Sequence, residues 1–564
     1  LGVGQTWTYA DLVDFEIDCQ LVGRTSDGTE FVRTYTFKFL DAGVYLFDPH
    51  FRYCVVDGVV QRQVEDFKIF NATKGIKYID GTIQEAIDAA DPGDTLYVAR
   101  GSHNESLIIN KEITLLGDYG DIYAAGTGPT PPVLDGTGLS GAPGILVTAG
   151  NVTIRGFVIK NFDSGGIVVQ GAGASNVTIE SNYIHGVENG AVLGNIASIQ
   201  ALNNWSASYN KIESGPGIII ENVGELMINQ NIISVDASGS GMAIGVTARA
   251  DTASMTVTGI TISGNEVSGG AVNVTALVTG SKSATAKNVA ISNNTIVEGS
   301  VELLSGAVSS PGATIENVNI SDNDITFRNK GVNIVTRADA PGGQQHIKAV
   351  KIERNEITGP FTAIDIHTQE TGSYHNLRDF TITGNSITVD NPEAAGCAVR
   401  LADVRGTNNN FNDNIITITG TADHAFDGLD ISYSWTTGMW KWDMRRNILN
   451  GNHVGSGSSG IRLRGTLTGD AVVHMRRFKI TGWTQGILAD DLVPSATVII
   501  QNSLIYDNAE FGILNGSGAA IEAADNYWGH PDGPYHESGN PNGQGNRVSD
   551  NVYFDPWYED DSFY

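Results

Sequence analysis

The chain repeats itself about every 29 residues, and this internal period constrains the fold more than any other feature. Each repeat ends on an apolar pair, a polar residue, an asparagine and a β-forming residue, as in the segment NVTIESNYI at residues 176–184. A degenerate copy (RFKI) lies at residues 477–480. The repeated asparagines are Asn182, Asn210, Asn231, Asn265, Asn294, Asn323, Asn355, Asn385, Asn414, Asn447, Asn502 and Asn526. A fixed period of this length predicts a solenoid, in which each unit contacts its neighbours along the stack.

The repeats have the pattern of strands rather than helices. Apolar and polar residues alternate, and Val, Ile and Thr are frequent. Asparagine tolerates left-handed backbone angles, so we expect the repeated asparagines at sharp corners between strands. Stacked asparagine amides can also hydrogen-bond from one coil to the next, and we assign them a structural role. The pattern predicts an all-β fold, a parallel β-helix of about 14 coils.

Two further stretches resemble known proteins. Residues 82–98 (TIQEAIDAADPGDTLYV) are similar to the N-terminal capping segment of right-handed parallel β-helices of the pectin-lyase-like superfamily. Residues 526–534 (NYWGHPDGP), followed by 554–557 (FDPW), resemble the closing segment of the secreted and surface members in archaea and bacteria. The resemblance spans residues 75 to 557 and implies a right-handed β-helix outside the cell. It does not imply one activity, because this fold carries lyases, hydrolases, epimerases, adhesins and structural proteins.

The residues of the capping segment also predict a short helix near 82–90. Thr82 is a suitable N-cap, and Glu85 completes a capping box. Ile83, Ala86, Ile87 and Ala90 share one face, and the helix would cover the open end of the first coil. We therefore divide the chain into an N-terminal β domain or arm (1–75), the β-helix (76–530) and a closing tail (531–564).

Composition limits the partners. The formal net charge is −29, which argues against nucleic acids and anionic membranes. It is compatible with the binding of a divalent cation such as calcium, and no cofactor is implied. No apolar stretch reaches 18 residues, so we expect no transmembrane helix. The chain begins at Leu1 rather than Met, which suggests a processed, secreted N-terminus.

Covalent features are also indicated by the sequence. Cys19 and Cys54 are candidates for a disulfide, and the alternation around Cys397 predicts a buried thiol. Nine N-x-S/T sequons are candidate glycosylation sites, at Asn71, Asn104, Asn151, Asn176, Asn204, Asn273, Asn293, Asn319 and Asn515.

One outward-facing position can be followed from coil to coil. Many coils contain a strand in which two inward apolar residues flank one outward residue. The outward residues are Val168, Val192, Ile219, Gly245, Asn273, Glu302, Asn333, Asp365, Arg400, Asp430, Arg462, Leu488 and Leu514. The column is apolar at both ends and polar in the middle, and it alternates in charge from Asp365 to Arg462.

The charged part of this column has two interpretations. It is either an ion-pair ladder that stabilises neighbouring strands, or a saccharide site with Asp365, Arg400, Asp430, Arg462 and His367 as candidate catalytic residues. An arginine beside an acid suits the neutralisation of a uronate and the removal of its C5 proton. Nearby aromatic residues are candidates for sugar stacking, namely Tyr433, Trp435, Trp440 and Trp442.

No family motif selects an enzyme. Asp490–Asp491 is the adjacent acidic pair inside the coils, and no Gly-His-Gly loop follows it. His and Cys residues lack zinc spacing, and Asp322–Asn323–Asp324 lacks the glycine and distal glutamate of an EF-hand loop.

The apolar end of the column favours association. Val168, Val192 and Ile219 would form an outward stripe, which is typical of an interface. The first hypothesis is therefore an extracellular structural protein that self-assembles into a surface layer, sheath or filament. The alternatives are a lyase or epimerase on an acidic polysaccharide, and a glycan-binding adhesin or spike without catalysis.

Overall fold

The computed structural model describes residues 16–24, 30–38, 51–56, 59–64, 67–117, 131–171, 173–194, 202–213, 215–235, 241–307, 312–338, 344–369, 374–420, 424–433, 440–452, 455–465 and 471–564. The chain forms two compact units, residues 1–66 and 67–564. In the first unit, strand Glu16–Arg24 pairs antiparallel with Glu30–Lys38, and Phe51–Val56 pairs antiparallel with Val59–Val64. Cys19 and Cys54 lie in these strands, but their side chains are outside the described part of the structure.

The second unit is a parallel β-helix, which confirms the predicted fold class. Each coil contributes one strand to each of three sheets, and each strand pairs in parallel with the equivalent strand of the next coil. Sheet 1 contains Asp94–Val98, Ile113–Gly117, Val152–Arg155, Val177–Glu180, Leu202–Ser208, Val223–Asn229, Met255–Ser263, Ser283–Ser292, Gly312–Ser321, Gln344–Glu353, Tyr374–Thr383, Val404–Asn412, Trp440–Arg445, Ala471–Arg476, Thr497–Gln501, Ile521–Glu522 and Val552–Tyr553.

Sheets 2 and 3 have 15 strands each, one more than the predicted number of coils. Sheet 2 contains Gly101–His103, Pro132–Asp135, Val158–Lys160, Tyr183–His185, Lys211–Glu213, Ile232–Ser234, Glu266–Ser268, Thr295–Val297, Asp324–Thr326, Glu356–Gly359, Ser386–Asp390, Ile415–Thr419, Ile448–Asn450, Lys479–Thr481 and Leu504–Ile505. Sheet 3 contains Leu107–Ile109, Ile145–Val147, Ile167–Val169, Val192–Gly194, Ile218–Glu221, Met242–Ala250, Ala271–Val278, Ser300–Ala307, Lys330–Ala338, Thr362–Gln369, Gly396–Ala402, Phe426–Tyr433, Ser459–Gly465, Gln485–Asp490 and Phe511–Asn515.

The repeated asparagines form a buried ladder between sheets 1 and 2. Each amide accepts hydrogen bonds from the asparagine one coil earlier and donates to the asparagine one coil later. For example, Asn323 Nδ2 donates to Asn355 Oδ1 at 2.9 Å and accepts from Asn294 Nδ2 at 2.9 Å. The ladder runs without interruption from Asn182 to Asn447. Since a buried amide without partners is costly, the ladder holds neighbouring coils in register.

Two details of this ladder differ from the sequence prediction. The left-handed residue at the corner is the one before the ladder asparagine, as at Asp322 with φ 58° and Arg354 with φ 55°. Asn502 is such a corner residue, with φ 53°, and the ladder position is taken by Ser503. The residue before each ladder asparagine therefore adopts the left-handed conformation that turns the corner. The side-chain amide of the asparagine itself points inward.

The predicted cap is present at the N-terminal end of the second unit. The helix, α1, spans Ile83–Ala89, and Thr82 and Glu85 form the capping box. Ile83, Ala86 and Ile87 are buried against the first coil. In the described part of the chain, no helix has the length and apolar character needed to cross a bilayer.

The predicted domain boundaries shift at both ends. The second unit begins at Phe67 rather than at residue 76, because strand Ile69–Asn71 pairs with both Ile76–Tyr78 and Asp94–Val98. The segment 531–564 belongs to the same unit, since Val552–Tyr553 continues sheet 1 beside Ile521–Glu522. The closing segment therefore covers the last coil as part of the β-helix.

Candidate functional site

The outward column predicted from the sequence lies on sheet 3, with one correction. Strand pairing places Val168, Leu193, Ile219, Gly245, Asn273, Glu302, Asn333, Asp365, Arg400, Asp430, Arg462, Leu488 and Leu514 side by side on successive strands. Val192 was predicted at the second position, but it is fully buried and Leu193 takes its place. A shift of one residue exchanges the inward and outward faces of a strand.

Asp365 is the centre of the charged part of the column. Its carboxylate is 2% exposed although it lies on the outer side of the sheet. Lys330 Nζ approaches Oδ2 to 2.6 Å, and Arg400 Nε approaches Oδ1 to 2.7 Å. His367 Nδ1 lies 3.1 Å from the same Oδ1. Neither the Arg400 contact nor the His367 contact has hydrogen-bond geometry, so Arg400 acts on Oδ1 through the coulombic attraction of its charge.

These neighbours set the ionisation of Asp365. Burial is the largest single influence and raises the pKa, but His367, Lys330 and Arg400 together outweigh it. The resulting pKa of Asp365 is about 2. The carboxylate is therefore ionised at neutral pH and is a weak general base, because base strength falls with pKa. This environment argues against proton abstraction by Asp365, the role that the saccharide-site interpretation gave it, and its contacts with Lys330 and Arg400 are ion pairs.

The second half of the charged column pairs differently from the predicted ladder. Asp430 is 2% exposed and forms a bidentate ion pair with Arg464, which lies diagonally across from it. Arg462 instead contacts Asp427 at 3.4 Å and Asp490 at 3.0 Å. In the ion pairs of Asp365, Asp427 and Asp430, the carboxylate is buried more deeply than the lysine or arginine that covers it.

Buried acids also surround the thiol of Cys397. Burial raises the pKa of Cys397 well above its usual range, and Asp430, Asp427 and Asp365 raise it further. Burial likewise raises the pKa of Asp427, although the Ser459 backbone N–H and Arg462 favour its ionised form. The thiol is free and buried, as the alternation predicts, and remains protonated at neutral pH.

A groove of about 410 Å³ adjoins the charged residues on the N-terminal side. Its floor includes Asn273, Glu302 and Asn333, three successive members of the column. Its wall is formed by the turns that precede the strands of sheet 3, with Glu298 and Arg328 paired on the rim. Lys330 lines the groove and contacts Asp365, so the groove is continuous with the charged residues.

The floor of the groove is held by its own hydrogen bonds. Asn273 Nδ2 donates to Glu302 Oε2 at 3.3 Å, and Thr275 Oγ1 donates to Asn273 Oδ1 at 2.6 Å. Ser300 Oγ donates to Glu302 Oε1 at 3.2 Å, and Lys330 Nζ donates to Asn333 Oδ1 at 3.3 Å. These contacts orient the side chains before any ligand arrives, while each carboxylate and amide keeps further hydrogen-bonding capacity.

Glycines allow the wall turns to stack closely. A Cβ atom at Gly299 would lie 2.2 Å from the carbonyl oxygen of Gly270 on the preceding coil. Any larger residue at this position would push the two turns apart. The groove wall therefore depends on backbone approach that only glycine permits.

Three of the four aromatic residues predicted to stack on sugars do not lie on the surface. Tyr433, Trp440 and Trp442 are buried, and the rings of Tyr433 and Trp440 pack edge to face with centroids 4.2 Å apart. They are part of the hydrophobic core, so their assignment as carbohydrate-binding residues is wrong. Trp435 lies outside the described residues.

The sequons occupy varied environments. Asn71 and Asn515 are buried and donate to Asp94 and to the carbonyl oxygen of Ala519, so they cannot carry a glycan in the folded protein. The exposed sequon asparagines are Asn104, Asn151, Asn176, Asn204 and Asn293, and Asn273 and Asn319 are half-buried. Among the described residues, no group of three or more His, Cys, Asp or Glu side chains is arranged to hold a metal ion.

No protein-family model matches the chain, and no curated protein matches its sequence. Among solved structures, the chain is similar to a mutant tailspike protein of E. coli bacteriophage HK620 in complex with a pentasaccharide. The identity is 15%, the TM-score is 0.27, and the similarity covers 88% of this chain and 79% of the tailspike chain. A likeness at this level says nothing about a shared ligand.

Proposed function

We propose that this protein is an extracellular glycan-binding protein of the adhesin or spike type, within the pectin-lyase-like superfamily that its capping and closing segments resemble. The observation that carries the proposal is the polar groove over Asn273, Glu302 and Asn333 on the outer face of sheet 3. A groove lined by oriented carboxylate, amide and hydroxyl groups suits a ligand rich in hydroxyl groups.

The repeat of the fold supports a linear ligand. Neighbouring strands lie about 4.8 Å apart, so the column offers one polar side chain at this interval. An extended chain of pyranose rings advances by a similar distance per sugar. A glycan that lies along the stack therefore meets Asn273, Glu302 and Asn333 in turn, and its next residues reach the cations Lys330 and Arg400 that cover Asp365.

The proposal predicts that the double variant Asn273→Ala/Asn333→Ala loses glycan binding by at least about tenfold, because two oriented amides in the groove no longer hydrogen-bond the ligand. Ligands are identified by a glycan array that contains neutral and uronate-bearing oligosaccharides, and affinity is then measured by calorimetry. The matched control is Asn319→Ala/Asn410→Ala, which removes two outward amides from sheet 1. Absence of any array ligand, or equal affinity of the two double variants, contradicts the proposal.

Self-assembly is the second candidate, and one surface supports it. Ile108, Leu146, Val168, Leu193 and Ile219 form the apolar end of the column on sheet 3. Ile108 is 47% exposed, Leu146, Val168 and Ile219 are half-buried, and Leu193 is buried. An outward apolar stripe with an exposed end is typical of an interface.

If this apolar stripe joins copies of the protein, Ile108→Ser/Val168→Ser will reduce assembly, because both substitutions remove apolar area from the contact. Electron microscopy and sedimentation velocity, with and without calcium, measure the assembly. Met227→Ser is the control, since Met227 is equally exposed at 48% on sheet 1. A wild-type protein that remains monomeric at every concentration excludes this candidate.

A further inference from the structure

A second charged surface lies on sheet 1, away from the groove. Lys348, Arg378 and Arg405 are directly opposite one another on three successive strands. We call these three residues the basic stripe. Three cations in register are unusual in a chain with a net charge of −29, and like charges directly opposite each other on neighbouring strands are destabilising.

The anions near the basic stripe neutralise it in part. Glu316 contacts Lys348 at 2.8 Å, and Asp379 lies 3.7 Å from Arg378. Asp379 Oδ1 also accepts a hydrogen bond from Asn408 Nδ2 at 3.2 Å. The Arg378 side chain remains 44% exposed. At such exposure these ion pairs contribute little to stability, so the stripe is not explained as a stabilising feature.

The positive charge of the basic stripe changes the pKa of a neighbouring histidine, and a neighbouring aromatic ring holds one end of the stripe in place. Burial lowers the pKa of His346, and the charges of Lys348 and Arg378 lower it further. The Arg405 guanidinium lies 5.7 Å from the centroid of the buried Trp440 ring, which fixes one end of the stripe against the core. The surface is therefore both cationic and ordered.

We propose that the basic stripe is a binding site for an anionic polysaccharide with sulfate or phosphate groups, separate from the groove on sheet 3. The three cations lie at intervals of about 4.8 Å along the stack, so a linear polyanion that runs parallel to it meets all three. Arginine donates two parallel hydrogen bonds to tetrahedral oxyanions, and lysine adds a point charge. The rest of the acidic surface repels polyanions, which confines binding to the stripe.

The test compares the full chain with Lys348→Gln/Arg378→Gln. The probes are a heparin dodecasaccharide, which carries sulfates, and inorganic polyphosphate, which carries phosphates. We expect the wild type to bind at least one probe at low ionic strength, and the variant to bind at least about tenfold more weakly. The slope of log affinity against log salt should fall by about two, one for each charge removed.

Controls separate this site from ion pairing in general and from the groove. Lys211→Gln/Arg446→Gln removes the same charge from two ion pairs elsewhere, with Glu213 and Asp413. The groove variant Asn273→Ala/Asn333→Ala should bind the probes like the wild type. The melting temperature of Lys348→Gln/Arg378→Gln should stay the same or rise, because like charges have been removed.

Two results overturn the proposal. One is a wild-type protein that binds neither probe at low salt. The other is equal binding by the stripe variant and the Lys211→Gln/Arg446→Gln control. If heparin binds and polyphosphate does not, the ligand carries sulfate, and the opposite result assigns phosphate.

Discussion

Asn323→Ala is expected to lower the free energy of unfolding by about 3 kcal/mol, since each buried polar group left unpaired costs about 1–3 kcal/mol. Asn323 is 2% exposed and lies in the middle of the asparagine ladder. Its Nδ2 donates to the Ile291 carbonyl oxygen at 2.9 Å, and its Oδ1 accepts from the Asn294 backbone N–H at 3.0 Å. Alanine removes both partners and leaves a buried donor and a buried acceptor without a hydrogen bond.

The effect should extend beyond the substituted coil. The coils of a solenoid are stabilised by their neighbours, so a weak interface in the middle of the stack loosens both sides. The measurement is a urea unfolding curve followed by circular dichroism, together with hydrogen exchange of the amides at Asn294 and Asn355. Asp324→Ser is the control, because Asp324 is the exposed neighbour of Asn323 and a surface change of this kind costs less than about 0.5 kcal/mol. Equal unfolding midpoints for Asn323→Ala and Asp324→Ser would show that the ladder does not stabilise the coils.

Asp365→Asn is expected to lower the free energy of unfolding by about 2 kcal/mol at neutral pH. It should also make the free energy of unfolding depend less on pH between about pH 4 and about pH 2. The pKa of Asp365 in the folded protein is about 2, below its ordinary value of 3.8. A lowered pKa stabilises the folded state at every pH above the unfolded value. That stabilisation is lost as the pH falls from about 4 to about 2. Asparagine carries no charge to titrate, and it leaves Lys330 and Arg400 without their buried counter-ion.

Urea midpoints measured from pH 2 to pH 7 test this prediction. The difference between the wild type and Asp365→Asn should be largest above pH 4 and should shrink towards pH 2. Asp550→Asn is the control, because the Asp550 side chain is 93% exposed. A constant difference across the whole pH range would mean that Asp365 contributes through its shape rather than its charge.

Much of the fold and part of the candidate site could be predicted from the pattern of residues. The capping box of Thr82 and Glu85 was predicted because both hydrogen bonds depend on residues three positions apart. The outward column was predicted at every position but one, since alternation along a short strand assigns its two faces. Val192 was misplaced because both Val192 and Leu193 are apolar, and alternation cannot choose between two adjacent apolar residues.

The aromatic residues show where such prediction fails. Trp440 and Trp442 alternate with more exposed residues and are inward residues of their strand. The loop before this strand has no periodic pattern, so the sequence does not show which residues of the strand face inward. The pairing of Asp430 with Arg464, instead of the directly opposite Arg462, depends on side-chain reach between coils, which has no signature along the chain.

The sequence by itself determined the parallel β-helix, the ladder of asparagines and the position of the cap, because these arise from contacts that repeat with the period of the chain. Only the tertiary structure decided how the groove forms and which charges meet. The groove needs Gly270 and Gly299, from different coils, to approach closely, and the basic stripe needs Lys348, Arg378 and Arg405 to fall in register. Both are properties of stacking between coils, and stacking depends on the lengths of all the turns between them.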